Sequence, residues 1–429
     1  MNPDLHGDTI FALSSGQPPA AIAIVRISGP FAGKALQAMA GELPGPRQAR
    51  LKTLRDPASG VVLDRALTLF FPGPGSATGE DLVELHLHGG RAVVAAVERA
   101  LAGQGGLRRA EAGEFTRRAF ANGRIDLAEA EGLSDLLTAE TESQRRNAMA
   151  LADGTLSRAI GRWRAELVDA AAAIEARIDF SDEDDVPEDD GVAAQAIVRL
   201  RREMDAMLRT PPAERLRDGI RVVIAGPTNA GKSTIFNILV GKEAAIATAI
   251  PGTTRDLIEY PVQMEGMPFI FVDSAGLRYT DDSVERIGVS RAQAAMEAAD
   301  LVLWLGEPGQ CPVKDAMQIF PKSDLVGNAD GVEGIAISSV TGQGIDVLKA
   351  TLVSRGTMLL PREGEIALTE RQRHALADCI AALPDRAPRD IILLAEALRG
   401  ARASLDRLTG AGGIEPLLDA IFSRFCIGK

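Results

Sequence analysis

The chain has 429 residues, of which 47 are basic and 59 acidic, so its formal net charge is −12. This length predicts several domains, and three cysteines exclude a disulfide framework. No apolar stretch is long enough to span a membrane, and the first 16 residues lack the features of a signal peptide, so we expect a cytoplasmic protein. The negative charge argues against tight nucleic-acid binding by this chain alone.

The first 120 residues combine short β-rich runs with Gly and Pro turns, which predicts an α+β domain. His86 and His88 alternate on a strand-like run, so they share a face of the predicted sheet. No third evident metal ligand accompanies them in the sequence. A structural role is therefore favoured over a zinc site.

Helical sequence fills residues 121–215 and returns after residue 355. Four segments carry the helical spacing: Leu156–Ile178, Ala193–Leu208, Thr369–Leu383 and Asp390–Leu408. Because the two helical regions flank residues 216–354, we expect one helical bundle interrupted by an insertion. The acidic segment 179–190 is interpreted as a solvated loop rather than a metal site.

The insertion begins with a phosphate-binding loop. Gly226–Ser233 matches G-x-x-x-x-G-K-[ST], after the apolar run Ile220–Ala225 and before the helical pattern Thr234–Val240. A glycine-rich turn lets backbone N–H groups approach phosphates closely, while Lys232 supplies a positive charge and Ser233 a hydroxyl for Mg²⁺. The residues predicted to bind the nucleotide here are Asn229, Ala230, Gly231, Lys232, Ser233 and Thr234.

Two switch elements follow this loop in the order typical of GTPases. Pro251–Asp256 contains Thr253 and Thr254, and a threonine here can close over Mg²⁺ when the γ-phosphate is present. The apolar strand pattern Phe269–Val272 precedes Asp273–Gly276, which fits the D-x-x-G element that contacts the γ-phosphate and Mg²⁺.

Two guanine-side elements complete the set. Lys322-Ser323-Asp324 is an incomplete N-K-x-D, and Ser338 begins the fifth element. Asp324 favours GTP over ATP, because a carboxylate accepts hydrogen bonds from the N1–H and exocyclic amine of guanine. Five elements in order predict an α/β P-loop GTPase domain.

Two positions depart from the usual GTPase pattern. Pro321 stands where asparagine is expected, and it has neither an amide side chain nor an N–H to tie this loop to the phosphate loop. We predict weaker nucleotide binding with guanine selectivity retained. Leu277 stands where many small GTPases have a water-orienting glutamine, and leucine cannot position water. Glu285 is therefore a candidate for this role, directly or through a bridging water. The alternative is that Glu285 is an exposed carboxylate on a helix.

One face of this domain is predicted to be reduced. Leu301–Leu305 reads as a core strand, and only Gly306–Gln318 remain before the guanine loop. That length is short for a helix and its two connections.

Motifs along the whole chain resemble the tRNA-modifying GTPase family MnmE, also called TrmE. They include Asp8–Ala12, Ala21–Gly29, Phe71–Pro74, Thr78–Asp81, His88–Gly90, Gly113–Thr116, Ala119–Phe120 and the terminal Phe425–Lys429. Other GTPase families lack this terminal motif, so the resemblance is specific.

The resemblance implies a homodimer with a folate-binding and dimerisation domain (1–120), a discontinuous helical domain (121–215 and 355–429) and an inserted GTPase domain (216–354). With the FAD-dependent partner MnmG, such proteins add an aminomethyl or carboxymethylaminomethyl group at carbon 5 of the wobble uridine of certain tRNAs. The implied one-carbon source is 5-formyltetrahydrofolate or another tetrahydrofolate. We expect MnmG to provide much of the tRNA binding.

The resemblance also implies site residues. Asn229, Thr248, Ile250 and Thr253 match the potassium positions, and Ser233 and Thr254 match those of Mg²⁺. Potassium against the phosphates does electrostatically what an arginine finger does elsewhere, and GTP hydrolysis is expected to be stimulated by it through GTPase-domain dimerisation. Glu285 matches the catalytic glutamate. The implied folate contacts are Arg26, Glu84 and Arg124. Lysine also occurs in the family at position 124, and arginine and lysine are not interchangeable at close contacts.

The terminal motif adds two residues, Cys426 and Lys429. The resemblance implies that Cys426 takes part in tRNA modification as a nucleophile or redox group, whereas an ordinary thiol is the alternative. Lys429 is expected to take part in cofactor binding. Cys311 and Cys379 have no pairing or metal spacing and are interpreted as structural or incidental.

Two alternatives to a tRNA-modifying GTPase remain from the sequence. A switch GTPase of ribosome assembly would not explain the folate-type start or Cys426. A weakened GTPase acting as a folate and partner scaffold is suggested by Pro321.

Overall fold

The computed structural model describes residues 7–179, 190–241, 259–272, 293–325, 334–362, 364–385, 390–410, 415–423, 425 and 427–428. The chain divides into two compact units. The first comprises Met1–Ser134, Ala152–Ile160 and Asp406–Lys429, and the second comprises Asp135–Leu151 and Gly161–Leu405. Across the described ranges we find no helix that is both long and apolar enough to cross a membrane.

The first unit contains a six-stranded sheet with the strand order β3-β4-β5-β2-β1-β6. Its strands are β1 (Thr9–Leu13), β2 (Ile22–Ser28), β3 (Arg50–Arg55), β4 (Val62–Phe71), β5 (Leu82–His88) and β6 (Leu107–Arg109). All neighbours are antiparallel except β1 and β6, which are parallel. The helices α1 (Ala32–Ala40), α2 (Arg91–Ala102) and α3 (Glu114–Ala121) complete an α+β fold, as predicted.

The alternation of strand β2 separates the core of this unit from its other face. Ala23, Val25 and Ile27 are fully buried, and they pack with Leu36 and Leu101 of the helices. Because successive side chains of a strand point to opposite faces, the residues between them point away from this core. Arg26 is therefore placed on the other face of the sheet.

The second unit contains a six-stranded sheet with the strand order β12-β11-β10-β7-β9-β8. Its strands are β7 (Ile220–Ala225), β8 (Glu259–Met264), β9 (Met267–Val272), β10 (Leu301–Trp304), β11 (Met317–Phe320) and β12 (Ile335–Ala336). Every pairing is parallel except that of β8 with β9. The helices α8 (Ala213–Arg217), α9 (Lys232–Val240) and α10 (Ile345–Leu359) belong to this unit. The strands predicted around the phosphate loop and at residue 301 are confirmed.

The remaining helices are α4 (Leu127–Thr138), α5 (Glu142–Ala152), α6 (Thr155–Asp179), α7 (Asp190–Leu208), α11 (Glu370–Ala382), α12 (Ile391–Thr409) and α13 (Glu415–Phe422). The four predicted helical segments correspond to α6, α7, α11 and α12. Helices α7 and α11 are joined by arginines that cap carbonyl groups. Arg201 Nη1 donates to Ile380 O at 2.9 Å, and Arg373 donates to Leu208 O at 2.6 Å and Thr210 O at 2.8 Å.

The connection from β10 to β11 contains no helix, which confirms the predicted reduction of this face. Residues 305–316 are all described and form only loop, turn and bend. Val313 and Ala316 of the loop pack against a sheet-face cluster that includes Val302 and Trp304. Gln318 Nε2 also donates to Gly306 O at 2.8 Å. A folded-back loop thus covers the surface that a crossover helix covers in longer α/β units.

Candidate functional site

The phosphate loop lies between the central strand β7 and helix α9. Gly231 precedes the first helical residue, Lys232, and has the left-handed φ of +94°. A residue with a Cβ atom would be strained there, which explains why this position requires glycine. Thr234 N and Ile235 N both donate to Gly231 O at 3.1 Å, so the first turn of α9 is already formed. Its helix N-terminus provides the N–H groups and positive dipole that bind phosphate.

Lys232 folds back over this loop. Its Nζ donates to Gly226 O at 2.8 Å and to Pro227 O at 2.7 Å, which holds the ammonium group over the loop backbone. Asn229 is exposed and has a φ of +61°, while Ser233 and Thr234 are exposed in the first turn of the helix. The loop therefore presents a lysine charge, two hydroxyls and an amide. These groups fit a nucleotide triphosphate with Mg²⁺ at Ser233.

The two guanine-side loops lie next to each other beyond β11 and β12. Ser323 N donates to Ile337 O at 3.0 Å, which joins the loop at Lys322–Asp324 to the one that begins at Ser338. Ser338 is buried, and its Oγ accepts from Val340 N at 3.3 Å and Thr341 N at 3.2 Å. Asp324 is exposed. The fifth-element serine thus organises its own loop, and the Asp324 carboxylate remains accessible to a base.

Pro321 lies beside the phosphate loop. A Cβ built on Gly231 would stand 3.7 Å from Pro321 Cβ, an ordinary van der Waals separation. The structure therefore brings the guanine loop and the phosphate loop together even though proline replaces the expected asparagine. Proline offers no amide side chain there to form hydrogen bonds with the phosphate loop.

The N-terminal candidate residues Arg26 and Glu84 form a cross-strand pair on β2 and β5. Arg26 Nε donates to Glu84 Oε1 at 2.9 Å, and His86 Nε2 lies 3.2 Å from Glu84 Oε2. Burial favours a higher pKa for the Glu84 carboxyl, but hydrogen bonds from His86 and Arg26 outweigh it and hold the pKa below its ordinary value. Glu84 is therefore an ionised acceptor with a neighbouring guanidinium. His88 pairs instead with Asp64, through Nδ1 and Oδ1 at 2.7 Å.

Arg124 is exposed and follows helix α3. Its Cγ lies 3.2 Å from the position of a Cβ built on Gly79, so it adjoins the turn Thr78–Asp81. Glu80 of that turn accepts a hydrogen bond from Ser28 Oγ at 2.8 Å, and Ser28 is two residues beyond Arg26 on β2. The turn thus connects the surroundings of Arg26 with those of Arg124.

A buried ionic cluster supports this turn, and sequence reasoning did not identify it. Arg118 is only 2% exposed and donates to Glu80 Oε2 at 3.2 Å, Asp8 Oδ1 at 2.7 Å and Glu114 Oε1 at 3.0 Å. Arg108 donates to Glu114 and Asp8 from the adjoining strand β6. The motifs around Thr78 and Gly113 contain Glu80 and Glu114. Glu114 pairs with Arg118 one turn along the same helix, whereas the pairs of Arg118 with Glu80 and Asp8 join residues distant in sequence.

Several predicted site residues lie outside the described part of the chain. They are Thr248, Ile250, Thr253, Thr254, Asp273, Gly276, Glu285, Cys426 and Lys429. Within the described part, no group of three or more His, Cys, Asp or Glu side chains is arranged to hold a metal ion.

The central β7, its glycine loop, helix α9 and the paired guanine-side loops define a P-loop GTPase domain. This domain is carried by a chain that also has an α+β unit with the Arg26–Glu84 pair. The class of protein is therefore a multidomain GTPase.

Comparison with known proteins identifies the family. Residues 9–124 match the family model described as GTP-binding protein TrmE N-terminus, and residues 127–426 match the MnmE helical domain. The tRNA modification GTPase MnmE of Novosphingobium aromaticivorans is 53% identical over 98% of this chain and 100% of its own length. That of Rhizorhabdus wittichii is 56% identical over 98% and 97%, respectively. The chain belongs to the MnmE family of tRNA modification GTPases, as its motifs predicted.

Proposed function

We propose that this protein modifies carbon 5 of the wobble uridine of certain tRNAs, as a cytoplasmic homodimer with the FAD-dependent partner MnmG. It adds an aminomethyl or carboxymethylaminomethyl group, and the one-carbon unit comes from a tetrahydrofolate such as 5-formyltetrahydrofolate. GTP hydrolysis by the inserted domain accompanies this reaction and is stimulated by potassium. Family membership supports the proposal as a whole, and specific contacts support its parts.

The observation that carries the proposal is the Arg26–Glu84 pair. Its two charged groups are partly accessible, with 29% of the Arg26 side chain and 16% of the Glu84 side chain exposed. The donor edge of a pterin suits an ionised glutamate, and the carboxylates of a folate suit an arginine. A fully buried ion pair could not bind a ligand, whereas this partly exposed pair keeps oxygen and N–H groups accessible to one. Arg124 beside Gly79 supplies a further cation.

The GTPase part of the proposal rests on the phosphate and guanine loops. Lys232 and Ser233 would hold the phosphates and Mg²⁺, and Asn229 would be the potassium ligand from this loop. Bound cations supply positive charge where the phosphoryl group develops negative charge. Asp324 would select guanine. Glu285 would orient or activate water, which compensates for Leu277.

Binding of 5-formyltetrahydrofolate to the purified full chain tests the folate part. The Arg26→Ala and Glu84→Gln variants each remove a charge-assisted hydrogen bond, which weakens binding about 10- to 100-fold. Isothermal titration calorimetry measures the dissociation constants.

Glu98→Gln is the matched control for this measurement. Glu98 forms an ion pair with Arg109 in the same unit, at 2.9 Å between Oε2 and Nη2, with 18% of the Glu98 side chain exposed. This variant should bind folate as the wild type does. Wild-type affinity in both Arg26→Ala and Glu84→Gln, or failure of the wild type to bind, would contradict the folate site.

A further inference from the structure

The end of helix α3 fixes the backbone of Arg124. Gly123 N donates to Phe120 O at 3.0 Å. Arg124 N donates to Ala119 O at 2.8 Å. These two hydrogen bonds form the Schellman motif, which needs a residue of left-handed conformation after the last helical turn, and Gly123 provides it with a φ of +64°. Arg124 therefore leaves the helix in a defined backbone position, although it is exposed.

The side chain of Asn122 ties this helix end to a second loop. Asn122 is the C-cap residue of α3, and its Nδ2 donates to Thr78 O at 2.7 Å. Thr78 is buried in the turn Thr78–Asp81, whereas Asn122 is exposed. The bond needs an amide, because a carboxylate of the same shape has no N–H to donate to a carbonyl oxygen.

Gly79 allows the helix end and the turn to approach this closely. Its φ is +81°, and a Cβ built on it would lie 2.8 Å from Asn122 Cβ and 3.2 Å from Arg124 Cγ. Real Cβ atoms essentially never come within 3.0 Å of a neighbouring atom. Asn122 and Arg124 therefore occupy the space that a side chain at position 79 would need.

The turn Thr78–Asp81 is also fixed to β2, the strand that carries Arg26. Ser28 Oγ lies 2.7 Å from Thr78 Oγ1 and donates to Glu80 Oε2 at 2.8 Å. Ser28 and Thr78 are buried, so water does not compete for the bond between their hydroxyl groups. Through this turn, the hydrogen bond from Asn122 fixes the end of α3 relative to the strand of Arg26.

We propose that Asn122 is a positioning residue for folate binding, because it holds Arg124 where the guanidinium receives a carboxylate of the ligand. This inference rests on the proposed function, in which Arg124 is a folate contact. Asn122 acts through Arg124 and does not itself touch the ligand. Without the hydrogen bond to Thr78, the loop that carries the exposed arginine would be less ordered, and folate binding would have to supply the cost of ordering it.

A double-mutant cycle in the purified full chain tests this inference. Asn122→Ala should weaken binding of 5-formyltetrahydrofolate about 5- to 10-fold, the loss expected for one hydrogen bond that orders a binding group. Arg124→Ala should weaken it about 10- to 100-fold, because a charge-assisted hydrogen bond is lost. In the Arg124→Ala background, Asn122→Ala should change the affinity by less than about twofold, since the group that it positions is absent. Isothermal titration calorimetry measures the four dissociation constants.

Asn122→Asp separates the hydrogen bond from the shape of the side chain. The carboxylate fills the same space but cannot donate to Thr78 O, so this variant should lose at least as much folate affinity as Asn122→Ala. Gln318→Ala is the matched control. Gln318 Nε2 also donates to a backbone carbonyl oxygen, that of Gly306 at 2.8 Å, but in the second unit. Its removal should leave the folate affinity unchanged.

The outcomes distinguish this inference from the proposed function. Wild-type folate affinity in either Asn122→Ala or Arg124→Ala would overturn the inference. Equal losses on introducing Asn122→Ala into the wild type and into Arg124→Ala would also overturn it, because Asn122 would then support the fold without acting through Arg124. Failure of the wild type to bind folate would instead refute the folate part of the proposed function.

Discussion

At the scale of single residues, Pro321 is the substitution with the clearest physical consequence. It lies close to Gly231 of the phosphate loop but has no amide side chain, whereas asparagine would add hydrogen bonds between the two loops. The loop geometry is nevertheless maintained by the hydrogen bond from Ser323 N to Ile337 O. The missing amide should therefore reduce the affinity for guanine nucleotides without changing the preference for guanine over adenine.

Restoring asparagine tests this expectation. Pro321→Asn should bind GDP about 2- to 10-fold more tightly than the wild type, the range expected for one hydrogen bond worth about 0.5–1.5 kcal/mol. Fluorescent-nucleotide titration measures this change. Pro321→Ala removes the proline ring without adding an amide and should show no gain. Equal affinities of the asparagine variant and the wild type would disprove the prediction.

At the scale of elements, the Arg118 cluster connects α3, β6 and the turn at Glu80. Glu114 lies in the first turn of α3 and accepts hydrogen bonds from Arg108, Arg118 and Glu111 N. Burial alone would raise the pKa of its carboxyl, but the hydrogen bonds from Arg108 and from the Glu111 backbone, together with Arg118, lower it below the ordinary 4.5. The cluster thus fixes the helix to the strand through an ionised carboxylate.

This lowered pKa predicts acid sensitivity. A carboxyl that is more acidic in the folded state stabilises the fold above pH 4.5, and this stabilisation is lost as pH falls through the lowered folded-state pKa. Glu114→Gln should remove that pH dependence. At pH 7 the variant should lose about 1–3 kcal/mol of stability in the first unit, because the buried Arg118 loses one charge-assisted partner while it keeps Asp8 and Glu80. Thermal unfolding between pH 7 and pH 3 measures both effects.

Glu142→Gln is the control for the pH measurement. Glu142 pairs with Arg145 and Arg146, but 51% of its side chain is exposed. Solvent screens such a pair, so the variant should unfold at nearly the wild-type temperature at pH 7. A Glu114→Gln variant as stable as Glu142→Gln would show that the buried cluster contributes nothing.

At the scale of the whole molecule, the proposed function couples the GTPase domain to a second copy of the chain and to cations. Hydrolysis by the purified protein should be at least about tenfold faster in potassium than in sodium, because a suitably placed cation supplies part of the charge stabilisation of an arginine finger. Asn229→Ala should abolish the stimulation. Glu285→Ala should abolish hydrolysis in both salts while leaving GDP affinity unchanged. These rates are measured by phosphate release.

The outcome separates two roles for the GTPase domain. Potassium-stimulated hydrolysis that both variants lose agrees with an active GTPase. No turnover in either salt would favour a folate and partner scaffold, and Pro321 would then be the first residue to replace with asparagine. Equal rates in potassium and sodium would contradict the role given to Asn229.

The sequence by itself determined the family, the strand–loop–helix of the nucleotide site and the limits of the long helices. These features depend on residues close in the chain: Gly231 and Lys232 within one motif, the apolar run of β7, and the helical spacing of α6 and α12. The short β10–β11 connection was also predictable, because chain length alone leaves no room for a crossover helix.

Only the tertiary structure decided which distant residues meet. The Arg26–Glu84 hydrogen bond depends on the register of two antiparallel strands, and the burial of Arg118 depends on three carboxylates from separate parts of the chain. The close approach of Gly428 to the Leu13 carbonyl joins positions 415 residues apart, and no local pattern specifies it. The physical reason is that motif chemistry is local, whereas desolvation, ion pairing and close backbone contact depend on what the folded chain places alongside each residue.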